Sequence, residues 1–175
     1  MGCIMHDRMP TADEVIRRLK LQPHPKEGGF FRETYRADEA LLATALPSRY
    51  AGSRSAGTAI YYLLTQTTFS ALHRLQSDEV FHFYCGGSVE MLQLFPDGAG
   101  RTVILGNLLD GSQPQVVVPR GVWQGCAMQS SGEFALLGCT VAPGFDYADY
   151  EEGRRDELVA QFPQFADLIR RLTPG

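Results

Sequence analysis

No stretch of this sequence is apolar for long enough to cross a bilayer, and the start, Met1 to Pro10, lacks the apolar core of a secretory signal. The expectation is a soluble, cytoplasmic protein with no membrane partner. Basic charge is short as well. Lys and Arg number 16 against 20 Asp and Glu, a net charge of -4, so nothing in the composition draws the chain to phosphate backbones and nucleic acid is not an expected partner. Cysteine is scarce: Cys3, Cys85, Cys126 and Cys139 show no paired spacing of the zinc or redox kind. Cys85 and Cys139 lie in apolar segments, where a reduced thiol behaves as a small hydrophobe. Gly2 and Cys3 hint at acylation, but His6 stands where the myristoylation pattern needs Ser or Thr. No internal repeat or low-complexity segment stands out. Charged residues at 21% with 44% hydrophobic exclude the profile of a disordered chain.

What is present fits one domain over 1–175, with a barrel core at about 30–142. Thr11 to Glu14 has the capping-box spacing, and Val15, Ile16 and Leu19 recur at helical intervals, so 12–21 reads as a short amphipathic helix. Pro23 and Pro25 stop it and Gly28-Gly29 supplies a turn. From Phe30 to Val141, short runs rich in Val, Ile, Tyr, Phe and Leu alternate with turn residues. Strands are expected near 30–36, 57–65, 69–75, 79–85, 88–95, 101–105, 115–119 and 134–142. So many short strands with no helix between them predict an antiparallel β sandwich or barrel. The segment 37–56 reads as a long loop, either a lid, a partner contact or a mobile connection. After Gly144 the apolar spacing predicts two short helices broken at Pro163, packed on the outside of the barrel.

Polar groups embedded in strands are the candidates for chemistry. Alternation puts Phe69, Ala71, His73 and Leu75 on one strand face, and Glu79, Phe81, Phe83 and Cys85 on one face of the next. If the turn at 76–78 makes these strands neighbours, His73 and Glu79 meet inside the barrel. Their desolvation there demands a pairing with each other, a metal or a ligand. His82 has the opposite parity to Glu79, which one residue of register or a bulge would reverse. Glu90 lies in the apolar run Val89 to Phe95, facing either the pocket or solvent.

His73-x-Leu75, Glu79 and Gly86 resemble the first cupin motif, and Pro119-Arg-Gly121-Val-Trp-Gln124 resembles the second. Leu75 and Gln124 stand where metal-binding cupins carry histidines. The resemblance therefore leaves His73, Glu79 and a neutral amide, and no tightly bound metal or other cofactor is expected. A wider set of segments is similar to the Cupin-5 family: Pro23-His-Pro-x-Glu27-Gly-Gly-Phe-Phe-Arg-Glu-Thr-Tyr35, Thr58 to Leu64, Leu72-His-Arg, Ser77-Asp-Glu79, Val117-Val-Pro, Gly121 to Gln124, and Cys139 to Asp146. That resemblance implies a mainly β, RmlC-like jelly roll, the cupin double-stranded β-helix, with short N- and C-terminal helices. It also implies a homodimer that exchanges N-terminal strands, for which 30–35 is suited.

Three functions are then open. One is a sugar or sugar-nucleotide epimerase or isomerase. His73 would be its base and Glu79 would orient that base. Arg74 or Gln124 would hold an oxyanion or phosphate, and Tyr84 or Tyr62 would supply an acid. Another is a binding module for a small polar, sugar- or nucleotide-like molecule, with His82, Tyr84, Glu90, Arg74 and Gln124 as contacts. The last is a dimeric scaffold, which a pocket plugged by Phe81, Phe83 or Trp123 would favour.

Overall fold

The structure is a computed structural model that describes residues 9–108, 111–129 and 132–174. Gly2, Cys3 and His6, with the acylation reading attached to them, lie outside the described residues. Helix α1 (Ala12–Leu19) starts on the expected capping box: Glu14 N donates to Thr11 Oγ1 at 3.2 Å, and Thr11 N to Glu14 Oε2 at 2.9 Å. These bonds satisfy amides that the first helical turn leaves open.

The strands are β1 (Gln22–Pro23), β2 (Phe30–Arg36), β3 (Ala40–Leu41), β4 (Arg54–Ser55), β5 (Thr58–Thr65), β6 (Phe69–Leu75), β7 (Asp78–Gly86), β8 (Val89–Leu94), β9 (Gly100–Leu105), β10 (Gln115–Val118), β11 (Trp123–Met128), β12 (Phe134–Ala142) and β13 (Tyr150–Glu152). A six-stranded sheet, β1-β2-β5-β12-β7-β10, faces a five-stranded one, β13-β6-β11-β8-β9, and the named pairings are antiparallel. This is the mainly β jelly roll. Inward side chains from both sheets, among them Tyr62, Phe81, Met91, Val116 and Leu137, form its core.

The C-terminal helices α2 (Arg155–Gln161) and α3 (Ala166–Arg171) are separated by a 3-10 turn at Pro163. Their Leu158, Phe162 and Ile169 pack on the outward Leu72, Leu92 and Leu94 of the five-stranded sheet. At about 1.5–3 kcal/mol for each fully buried large aliphatic side chain, that layer is a substantial part of the stability. Helix α1 covers the other sheet through Val15 against Leu63 and Phe134.

Three details depart from simple alternation. A bulge in β6 pairs Gln124 with His73 but Cys126 with Ser70, so Phe69 turns outward while His73 stays inside. A second bulge, at Tyr84, turns Cys85 outward to α1 while Phe83 faces the core. The turn after β6 carries the chain from one sheet to the other, so β6 and β7 are not paired neighbours. Strand β11 was not expected, because Gly121, Gly125 and the lack of β-branched residues after Val122 hide it. Gly125 is needed there: a Cβ would sit 3.0 Å from both the Ser70 carbonyl and the Leu72 side chain. Strand β13 was not expected either: it lies beyond Gly144, where the strands were expected to end, and pairs with β6.

The 37–56 segment is tied down. β3 pairs with β4, and Arg54 donates from Nε and Nη2 to the two Asp149 carboxylate oxygens at 2.6 Å each. Tyr50 Oη is 2.9 Å from Ser77 Oγ. These contacts fix the 146–150 segment, which borders the pocket described next.

Candidate functional site

The mouth of the barrel holds a cavity of about 340 Å³, within the range of small-ligand sites. Its wall draws on three regions. Strands supply Ile60, Glu79, Cys139 and Val141 from the six-stranded sheet and Leu75 from β6, the loop between β1 and β2 supplies His24 and Glu27, and the stretch before β13 supplies Phe145 to Tyr147. Phe81, Phe83 and Trp123 are not part of that lining, so none of them plugs it.

The loop is positioned by backbone bonds. His24 N donates to Gly29 O at 3.0 Å, and Ala71 N, freed by the β6 bulge, donates to Glu27 O at 2.7 Å. Gly28 has φ +88°, and a Cβ on it would lie 2.5 Å from the Phe69 carbonyl. Only glycine lets the loop lie this close to β6. Lys26 ties the loop to the stretch before β13, its Nζ 5.2 Å from the ring centres of both Tyr147 and Tyr150.

Behind the cavity wall, His73, Glu79 and Gln124 come together from both sheets. Gln124 is the cross-strand partner of His73. Its Nε2 donates to Glu79 Oε2 and lies 3.4 Å from His73 Nε2. His73 Nδ1 is 2.8 Å from the Ala71 carbonyl, which can only accept, so Nδ1 carries the proton and Nε2 presents a lone pair. His24 holds the opposite tautomer. Its Nδ1 accepts from Glu27 N at 2.9 Å and Lys26 N at 3.4 Å, which leaves the proton on Nε2. Glu27 Oε1 lies between the two imidazoles, 3.7 Å from His24 Nε2 and 3.8 Å from His73 Nε2.

Burial sets the protonation of this group. It pushes the Glu27 carboxyl up to about 8. Burial, reinforced by the Glu27 charge and opposed by His73 and Gln124, raises Glu79 to about 7. His24 falls to about 4 through burial and the neighbouring His73, and burial lowers His73 also. At neutral pH the site holds two neutral imidazoles and two carboxyls poised to titrate. Burial also pushes the Cys126 and Cys139 thiols up, away from nucleophilic reactivity.

The other sequence candidates lie elsewhere. Arg74 is on the outer surface, paired with Glu151 through two 2.8 Å bonds and stacked 4.4 Å over Trp123. Glu90 is outside too, bonded to Arg171 at 2.6 Å. His82 sits on the outer face of β7, 3.2 Å from Thr140 Oγ1 and 3.1 Å from Gln115 Nε2. Tyr84 lies exposed against Gly138 and Tyr61. Tyr62 is inside, but its hydroxyl donates to Gly28 O at 2.9 Å. His24 and Glu27 were not among the candidates, although both stand in the Pro23-to-Tyr35 segment. The signal was a His and a Glu three residues apart beside a Gly-Gly turn.

A cupin fold raises the question of a metal. Gln124 turns its amide N–H groups toward the Glu79 oxygen and the His73 lone pair that would face an ion, and Leu75 offers no donor atom. That donor set does not fit the family's three-histidine, one-carboxylate metal site.

A family model described as Cupin superfamily (DUF985) matches residues 13–152. An uncharacterized protein of Saccharomyces cerevisiae is 28% identical over 149 residues, covering 80% of this chain and 74% of the yeast protein. A crystal structure from Shewanella oneidensis is similar at 37% identity and TM-score 0.83, over 95% of this chain and 99% of that one. A hypothetical protein from Leishmania major is similar at 30% identity and TM-score 0.84, over 95% and 100%. Oxalate decarboxylase from Bacillus subtilis shares the fold alone, at 14% identity and TM-score 0.52, over 90% of this chain and 41% of that one.

Proposed function

This chain belongs to the Cupin superfamily (DUF985) family, and from that premise we propose that it is an isomerase, holding a small sugar-like hydroxycarbonyl compound in the barrel mouth and shifting a proton between its adjacent carbons. The observation that carries this reading is Glu27 beside the neutral, Nε2-protonated His24 on the cavity wall. Enolisation needs a base for the proton next to the carbonyl and a donor where charge develops on its oxygen. A carboxylate base with a neutral imidazole donor supplies both. Ionised Glu27 takes the proton from the hydroxyl-bearing carbon, and the electron pair moves onto the carbonyl oxygen, held by His24 Nε2–H. The proton then returns to the former carbonyl carbon. Transfer of the hydroxyl proton from one oxygen to the other completes the change with no net proton gained or lost.

Such a shift needs only one carboxyl beside the substrate. Of the acids an inverting epimerase would need opposite, Tyr84 lies exposed on the outer surface and the Tyr62 hydroxyl is spent on Gly28 O. His73, behind Glu27, holds a lone pair that steadies the protonated carboxyl rather than attacking substrate. A non-catalytic binding protein is the second reading, favoured by Gln124, whose amide holds Glu79 from behind the wall and so fixes the carboxyl as a recognition surface would. The homodimer implied by the family resemblance goes with either reading: β2 pairs with β1 only at Phe30 and Phe31, which leaves the rest of that edge open.

The test follows deuterium uptake from D2O by NMR into a panel of sugar phosphates and sugar nucleotides, with thermal shift reporting binding. Wild type is expected to exchange the hydrogen next to the carbonyl of one member. Glu27→Gln should bind that compound and exchange it at least about 100-fold more slowly, and wild-type exchange should rise with pH through about 8. Unchanged exchange in Glu27→Gln sinks the mechanism, and binding without exchange by wild type leaves the second reading.

A further inference from the structure

The proton shift proposed above leaves one transfer without a carrier. Glu27 moves the carbon-bound proton and His24 Nε2–H holds the oxygen where charge collects. The hydroxyl proton must still pass from one substrate oxygen to the other, and until it does the enediolate returns only to the compound it came from. His24 cannot carry it. Its Nδ1 accepts from Glu27 N and Lys26 N, so giving up the Nε2 proton would leave an imidazolate. Of the two side chains with hydroxyls that line the cavity, Thr58 is buried and its Oγ1 accepts from Phe145 N at 3.0 Å. Tyr147 is the other.

The chain around Tyr147 is fixed while its phenol is left free. Tyr147–Asp149 is a 3-10 turn capped by Asp146 Oδ1, which accepts from Ala148 N at 2.8 Å. Arg54 locks Asp149 on one side, and Thr58 holds Phe145 on the other. The ring stands edge-on to Phe145 at 5.0 Å between centres and carries the Lys26 ammonium. These contacts use only the ring, and among the described residues the hydroxyl has no hydrogen-bond partner. Tyr147 is 43% exposed, so it borders the opening of the cavity. Burial and the Glu27 charge hold the phenol above its ordinary value, which keeps it protonated at neutral pH. A protonated hydroxyl can donate one proton while accepting another.

From this arrangement we infer that Tyr147 is a catalytic residue whose hydroxyl carries the proton between the two substrate oxygens. The inference rests on the isomerase reading and supplies the carrier that reading lacks. In the enediolate, Oη–H protonates the former carbonyl oxygen while Oη takes the proton of the neighbouring hydroxyl. The electron pair freed there forms the new carbonyl, and the double-bond pair takes the carbon proton back from Glu27. Tyr147 and Glu27 both end as they began, so atoms and charge balance.

The test follows D-glucose 6-phosphate, D-mannose 6-phosphate, D-ribose 5-phosphate and D-arabinose 5-phosphate in D2O by NMR, reading deuterium uptake and isomer formation separately. Wild type is expected to show both with one of them. Tyr147→Phe, which keeps the ring and loses the oxygen, should form at least about 100-fold less isomer per exchange event. Glu27→Gln should lose exchange and isomer formation together, so the split is particular to the Tyr147 oxygen. An unchanged ratio in Tyr147→Phe overturns the assignment, whether both rates stay or both fall. Wild type that exchanges without isomerising overturns it too and leaves Glu27 and His24 standing. Wild type that does neither sinks the isomerase reading, and Tyr147 with it.

Discussion

Two places among the described residues bury carboxylates, and they are built in opposite ways. Asp149 is closed: Arg54 meets both of its oxygens at 2.6 Å, and the pair lies between the 37–56 segment and the stretch leading into β13. Charge is matched by charge and every strong contact is internal. Glu27 and Glu79 lie on the cavity with imidazoles, an amide and a thiol for company and, among the described residues, no Lys or Arg in an ion pair with either. Burial then acts on their protonation instead of being cancelled by a partner. A closed pair holds the fold together, whereas an open acid cluster keeps proton affinity and hydrogen-bonding capacity available for something else.

Breaking the closed pair is expected to have the largest effect. Asp149→Ala leaves the Arg54 guanidinium buried and uncompensated, and should lower the unfolding free energy by about 3–5 kcal/mol, read by urea denaturation. The double variant Arg54→Met with Asp149→Leu should recover most of the loss, since no charge is then stranded. If the double variant is as unstable as the single one, the pair matters for its geometry rather than its charge.

The open cluster should show itself in pH dependence. In the fold Glu27 keeps its proton to about 8 and Glu79 to about 7, while the unfolded chain releases both near 4.5. From 4.5 to 8 the folded state binds more protons, so stability falls as pH rises. His24 works in the other direction. Its folded value of about 4 lies below 6.5, so its contribution is full above pH 6.5 and is lost as pH falls toward 4. Above pH 6.5 the carboxyls dominate, and denaturation should show stability dropping by roughly 3 kcal/mol up to pH 8.5. Glu27→Gln should remove more than half of that slope. A flat profile in the wild type would mean that Glu27 and Glu79 are solvated and that the contrast with Asp149 does not hold.

The same contrast explains what could be read in the sequence. The strands from Phe30 to Val141 follow apolar runs between turn residues, and most of their limits fall within a residue or two of the structure, because burial on a pleated surface imposes that pattern directly. Strand β11 was hidden because its fit depends on Gly125 lying against β6, a contact between distant segments. His73, Glu79 and Gln124 were visible through motif spacing. Their inward facing, however, depends on the β6 bulge, and strict alternation put Phe69 on the same side as His73. His24 and Glu27 could not be placed by periodicity at all, since no strand or helix holds them. Their position comes from Gly28 passing under the Phe69 carbonyl and from the Ala71 amide that the bulge releases. A loop residue becomes a site residue through such tertiary contacts, and local sequence patterns do not encode them.

The smallest expected effect concerns a third kind of carboxylate, Glu151, which pairs with Arg74 in the open. The two 2.8 Å bonds have the same forked geometry as Arg54 with Asp149, so geometry alone would rank the pairs equally. Solvent separates them: the side chains are 38% and 50% exposed here, against 5% and 5% for the buried pair. Water already solvates both charges, so removing one strands nothing, and an exposed pair contributes about 0.2–1 kcal/mol. Stacking of the guanidinium on Trp123 adds a similar amount. Arg74→Ala should therefore cost about 1 kcal/mol or a little more in urea denaturation, much less than Asp149→Ala. Because Arg74 lies outside the barrel, binding of a cavity ligand should be unchanged in the same variant. A loss of binding in Arg74→Ala without a matching loss of stability would return Arg74 to the site, and would mean that the ligand reaches the outer surface past β13.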